Sequence, residues 1–266
     1  MWRSLVTGNP MLIELKRMGR RMLGSGGLRP LGIVVSVLIL ALWVFILGLA
    51  RAYELEPEMF AWFELFLFCL LIPPFLYTSI AGEKERKSWD ILLVTPVSSA
   101  QIVAGKFFMG VAAIMVISVL FSGLMLVGEA SLPPYDPWRV VRFQVFAGSF
   151  ALVVAAFTLL ASSWAKRSVA ALATVYTALF VSLAVLPVVF WTIVDPLYHG
   201  YESSEVYETV FFLHPFVAFD KLAGRESTYG GLFEIAWYVG LTAFFLLWTR
   251  HRIRGSVRRK FPGAAR

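Results

Sequence analysis

Few side chains in this chain are of a type that does chemistry, and their spacing limits what they can do. The histidines are His199, His214 and His251. They form no i, i+4 pair and no H-E-x-x-H, the helical spacing that would hold zinc. The single cysteine, Cys69, falls in an apolar run, which excludes an intramolecular disulfide and a cysteine metal cluster. No G-x-S-x-G nucleophile turn is present. A phosphate-cradling loop needs G-x-x-x-x-G-K-[ST], because its backbone N–H groups hold phosphate and its hydroxyl holds magnesium. The nearest string ends in Gly105-Lys106, but Ala100 stands at the first glycine and Phe107 follows the lysine. The expectation is therefore no catalytic residue, no metal, no cofactor and no nucleotide bound by this chain.

What remains is a pair of carboxylates in apolar surroundings, Glu64 and Glu234. An ionisable group deep in a membrane costs about 2.5–3.5 kcal/mol or more, so its presence asks for a reason. Both fall within a turn or two of one end of an apolar run. Two readings stay open: solvation at the interface, or a place in a pathway through contact with a cationic or polar substrate or by pairing across a dimer.

The elements that must carry these residues are membrane helices. Of 266 residues, 59% are hydrophobic and the mean hydropathy is +0.74, against the roughly 45–50% usual in soluble domains. Six apolar runs approach or exceed the roughly 20 residues that cross a bilayer: 31–50, 59–81, 107–128, 143–163, 168–194 and 232–249. The fifth contains Pro187, so its outer part is expected to kink or break. Pro73-Pro74 should disturb the second in the same way. No cleavable signal peptide is expected, since the first apolar run follows a long basic segment and is long enough to span.

Charge distribution sets the orientation. Segments 1–30, 82–106, 164–167 and 250–266 hold 19 Lys/Arg, while 51–58, 129–142 and 195–231 hold 5. The positive-inside rule then puts both termini in the cytoplasm of a multi-pass cell-membrane protein. The net charge of +7 tracks membrane sides and does not imply nucleic acid. The tail 250–266 reads as a topology signal and lipid contact.

Within residues 1–30, Asn9-Pro10 marks a helix start. Met11, Leu15, Met18 and Met22 follow on one face, with Lys16, Arg17, Arg20 and Arg21 on another. This pattern predicts an interfacial amphipathic helix, arginines toward anionic lipid head groups, ended by Gly24-Ser25-Gly26-Gly27.

The longest polar interruption on the basic side is 82–106. It opens with Glu83, Lys84, Glu85, Arg86 and Lys87. It then turns amphipathic, with Trp89, Leu92 and Leu93 at helical spacing and Asp90 on another face. Thr95-Pro96 stops that short helix, and Ser98 three residues before Gln101 has capping-box spacing. Such a helix, lying crosswise between two spans, suits either the grip of a soluble partner or a merely solvated loop.

This stretch resembles the first cytoplasmic loop of the membrane subunits of ABC-2-type ABC transporters, which typically reads E-K-E-R-G-T-L-E-L-L-L-x-T-P-x-S-x-x-x-I-x-x-G-K. The matching residues are Glu83-Lys84-Glu85-Arg86, Ile91-Leu92-Leu93, Thr95-Pro96, Ser98, Ile102 and Gly105-Lys106; the departure is Lys87-Ser88-Trp89-Asp90 where the family often has G-T-L-E. The resemblance extends to an N-P-x-x-x-x-E-L-x-R start (Asn9-Pro10, Glu14-Leu15, Arg17). It also covers an N-P-F-like or S-P-F-like motif before the last helix, here His214-Pro215-Phe216.

The resemblance implies an all-α membrane protein with six transmembrane helices, an N-terminal interfacial helix and a short cytoplasmic coupling helix. It implies a non-catalytic permease subunit, prevailingly an exporter, paired as a homodimer or heterodimer and moved by a separate cytoplasmic P-loop ATPase. Glu83, Glu85, Arg86, Trp89, Asp90, Leu92 and Leu93 are the expected ATPase contacts. In the outer loop 195–231, His214-Pro215-Phe216 belongs either to an external gate or to a solvated loop with an interfacial helix. The competing function is a non-transporting scaffold that uses the same ATPase in assembly or maturation of envelope proteins. A membrane enzyme ranks last, for want of an acid/base or metal set.

Overall fold

The computed structural model describes residues 41, 43–49, 51–53, 55–94, 97–130, 135–189, 192, 214–223 and 232–260. Every element among them is helical. In chain order these are α1 (Pro57–Leu76), α2 (Thr78–Glu85), α3 (Trp89–Val94), α4 (Ser99–Ala130), α5 (Pro137–Trp164) and α6 (Ser168–Phe180). A π-helical turn, Val181–Val185, leads to α7 (Leu186–Val189), and α8 (Pro215–Ala223) and α9 (Leu232–Lys260) follow.

Five stretches among the described residues are long and apolar enough to cross a membrane: Pro57–Glu85, Ser99–Ala130, Pro137–Trp164, Ser168–Val189 and Leu232–Ser256. They correspond to the second to sixth expected spans. Of the first, 31–50, only 41 and 43–49 are described, and 43–49 are helical. The expected interfacial helix, with Met11, Leu15, Arg17, Met18, Arg20 and Arg21, lies outside the described residues. The helices run past the apolar windows. α2 carries the second span through the first loop charges to Glu85, and α9 continues to Lys260 through residues expected in the tail.

α5 is the central helix, the most buried of the five, and it packs against α1, α4, α6, α8 and α9. Its sequence explains the position: Ala147, Ala151, Ala155, Ala156, Ala161, Ser162 and Ser163 are small and buried, which lets neighbouring helices approach closely, the main source of packing between membrane helices. Against it α1 presents Leu65, Phe68, Ile72 and Leu76, all fully buried. The other side of α1 (Phe63, Phe66, Leu70, Phe75) is exposed, as a surface meeting lipid can be. Gly110 is needed for a close approach: a Cβ there would lie 2.6 Å from Leu76 Cδ1 and 3.3 Å from Ala155 Cβ.

Neighbouring side chains take up the backbone groups that the prolines leave without a partner. Pro74 has no N–H for the Leu70 carbonyl, and the Tyr176 hydroxyl donates to it at 2.8 Å. At the α1–α2 junction Ser162 Oγ accepts from Ile80 N (3.1 Å) and Ala81 N (2.9 Å) and donates to the Tyr77 carbonyl (2.8 Å). Just before Pro187 the helix takes a wide turn. Leu186 N–H reaches back five residues to the Val181 carbonyl, and the chain stays helical to Val189. A π turn absorbs the missing donor without ending the helix.

Candidate functional site

The chemistry-bearing residues gather at two ends of the bundle, one basic and one acidic. At the basic end α2 stops in a Schellman turn: Ser88 N donates to the Glu83 carbonyl (3.0 Å) and Lys87 N to the Lys84 carbonyl (3.1 Å). That turn needs a left-handed residue, and Lys87 supplies it with φ 57°. α3 follows. Trp89 is buried in a cluster with Ile80, Ile102, Val103 and Ile253, with Leu92 packed beside them, so the short helix is pinned to α2, α4 and α9. The side chain of Leu93 lies outside the described residues. At the start of α4, Ser98 N donates to Gln101 Oε1 (2.9 Å) and Gln101 N to Ser98 Oγ (3.3 Å), a closed capping box.

The charges of this loop are largely used inside the chain. Lys106, buried, holds Glu83 at 2.6 Å and also the Ser79 carbonyl. Lys84 Nζ donates to the carbonyls of Ser163 and Ala165, the latter at 3.2 Å. Glu85 accepts from Ser168 N (2.9 Å) and Ser168 Oγ (2.6 Å), so it closes the first turn of α6. These bonds tie 82–106 to the second basic loop, 164–167. The seven residues expected to meet a partner therefore divide. Glu83, Glu85, Trp89 and Leu92 have partners within the chain; Glu85, Arg86, Lys87 and Asp90 are exposed. A charge run in sequence cannot reveal which members are spent internally. Lys106 and Ser168, which take up two of the carboxylates, carry no local signal.

At the opposite end Glu64 is fully buried. Its carboxylate accepts from Ser118 Oγ (3.1 Å) and Gln144 Nε2 (2.8 Å), on α4 and α5. Glu234 is half-buried in the first turn of α9, where the helix N-terminus favours a carboxylate. Arg139, almost buried, pairs with Glu58 and with Glu129 (3.5 Å). Ser118, Gln144, Glu58, Glu129 and Arg139 escaped the sequence reading, since each is ordinary until the fold brings them together.

His214-Pro215-Phe216 opens α8, and this helix packs into the core. Phe216 stacks on Trp62 at 5.2 Å. Phe219 sits among Trp62, Phe143 and Phe146 and is fully buried. The His214 ring faces the carbonyls of Ser182 and Leu183, in the wide turn before Pro187. Burial pushes its pKa below the ordinary histidine value, which those carbonyls only partly offset. The motif is thus docked against the fifth span.

Among the described residues no grouping of three or more His, Cys, Asp and Glu could hold a metal. What the two ends offer is a rigidly anchored short helix with exposed charges at one, and a hydrogen-bonded polar cluster inside the bundle at the other. The family model described as ABC-2 family transporter protein matches residues 51–248. No curated protein matches the chain.

Proposed function

The chain belongs to the ABC-2 family of transporters, and we propose that it is the permease subunit of an exporter driven by a separate cytoplasmic P-loop ATPase. The chain is a multi-pass membrane protein of a family whose membrane subunits are generally non-catalytic. The observation that carries the proposal is the anchoring of α3. Trp89 fixes it to the ends of α2, α4 and α9, while Arg86, Lys87 and Asp90 remain exposed. A push on those charges moves three helix ends as one body. ATP drives the bundle between two states only through a partner that binds them with different affinity.

The excess of Lys/Arg at this end supports its placement, with both termini, in the cytoplasm of the cell membrane. In this reading two such chains, identical or not, share a pathway and each seats one ATPase.

The test is copurification of the full chain with a soluble P-loop ATPase, followed by flux in liposomes. Wild type should retain the ATPase, and Arg86→Glu with Asp90→Lys should lose it. An ATPase-dependent phenotype without any solute movement would favour the scaffold reading; undiminished capture by the reversed variant would remove α3 as the contact.

A further inference from the structure

A cavity at the basic end borders the anchor of α3. It opens between the ends of four helices, is a small half-open cavity of about 40 Å³, and is lined by Ile80, Lys84, Trp89, Ser163, Arg252, Ile253 and Ser256. Its lining combines apolar side chains (Ile80, Trp89, Ile253) with two cations, Lys84 and Arg252. Lys84 makes no ion pair with a carboxylate among the described residues; its ammonium donates only to the Ser163 and Ala165 carbonyls. The Arg252 guanidinium is close enough to repel it. Two positive charges thus line one cavity, beside the Ser163 and Ser256 hydroxyls, which donate to the Leu160 and Ile253 carbonyls. Such an arrangement gains from an anion with several acceptor oxygens.

Aromatic residues flank the cavity. Arg252 lies over the Trp164 ring at 5.5 Å, and Trp164 packs edge-on against Trp248 at 5.4 Å. Tryptophans at helix ends sit at head-group depth, and basic pockets between helices on the positive side take up anionic head groups.

We propose that this cavity binds a phosphate anion, presented by an anionic lipid head group or free in solution. Two or more phosphate oxygens would accept from Lys84 and Arg252, with the Ser163 and Ser256 hydroxyls within the same wall. The Trp89 side of the cavity places the occupant against α3, so occupancy stiffens that helix whichever protein moves it. The site does not depend on an ATPase partner, and it survives if no ATPase is ever found.

The test is thermal unfolding of the purified full chain in detergent, titrated separately with dioctanoyl phosphatidylglycerol, dioctanoyl phosphatidylcholine and inorganic phosphate. Phosphatidylglycerol should raise Tm saturably, and phosphatidylcholine should not. A matching rise with inorganic phosphate identifies a soluble anion as the occupant; no rise with it identifies the lipid. Arg252→Gln, at an exposed position, should weaken the apparent affinity about tenfold, the loss of one charge-assisted contact. Ser256→Leu, which fills the cavity, should abolish the shift, and Lys84→Arg should keep it. Equal stabilisation by the zwitterionic lipid, no anion effect at all, or wild-type affinity in both Arg252→Gln and Ser256→Leu would overturn the site.

Discussion

Tyr176 donates its hydroxyl to the Leu70 carbonyl at 2.8 Å, the one acceptor that Pro74 leaves without a donor in its own helix. The bond joins the second span to the fifth where each would otherwise expose a polar group to lipid. Tyr176→Phe should cost about 0.5–2 kcal/mol, measured as a lower Tm of the full chain. Pro74→Ala restores a helical N–H for Leu70, so the tyrosine change should cost less in that background. Equal cost in both backgrounds would show that the hydroxyl acts elsewhere.

Glu85 caps α6 through both the N–H and the hydroxyl of Ser168. Glu85→Ala and Ser168→Ala should each lower Tm, and the double variant should fall little further than Glu85→Ala alone, because one interaction is lost either way. A strictly additive double variant, or Glu85→Ala with unchanged Tm but lost ATPase capture, would return Glu85 to the partner-facing set.

The helices were legible because lipid demands long apolar runs, and that demand is local. Helix ends were less so. The window of hydrophobicity closes near Ala81, but the hydrogen-bonded ladder continues to Glu85 because Lys84 and Glu85 find partners across the chain. The α3 helix and its capping box could be read from Trp89, Leu92, Ser98 and Gln101, whose spacing is itself the signal. What Trp89 touches could not, since Ile253 is far away in sequence. Pro187 shows a further limit: a missing N–H is visible in sequence, but whether a helix breaks or widens depends on its surroundings.

Glu64 is held by two neutral donors, Ser118 and Gln144, on two other helices. Glu64→Ala strips both of their acceptor and should cost about 1–3 kcal/mol. Glu64→Gln keeps size and one acceptor, and its amide can donate to Gln144 Oε1, which is buried without a hydrogen bond. It should therefore be near neutral in Tm. If Glu64→Gln destabilises as much as Glu64→Ala, the carboxylate's charge is essential and a cationic group must complete the cluster.

Lys87 occupies the left-handed region, φ 57°, in the turn between α2 and α3. A side chain there carries a cost that glycine avoids, and glycine often stands at this position in the loop pattern this stretch resembles. Lys87→Gly should stabilise the full chain by about 0.5–1 kcal/mol if the turn keeps its form in the resting protein. A lower Tm would mean that the lysine makes a contact worth more than the backbone preference.

Trp89 and Arg86 should fail in different ways, because one is buried beneath α3 and the other is exposed beside it. Trp89→Leu leaves an apolar but underfilled anchor, so a partner can still seat while α3 slides without carrying the helix ends. ATP hydrolysis by the captured ATPase should persist, and solute moved per ATP should fall about fivefold or more, the scale of a typical coupling energy. Arg86→Glu should instead lose the partner while Tm stays unchanged. The two variants are separable in one preparation by measuring capture, hydrolysis and flux together. Normal flux in Trp89→Leu, or loss of capture in both variants alike, would mean that α3 is a contact surface and not a lever.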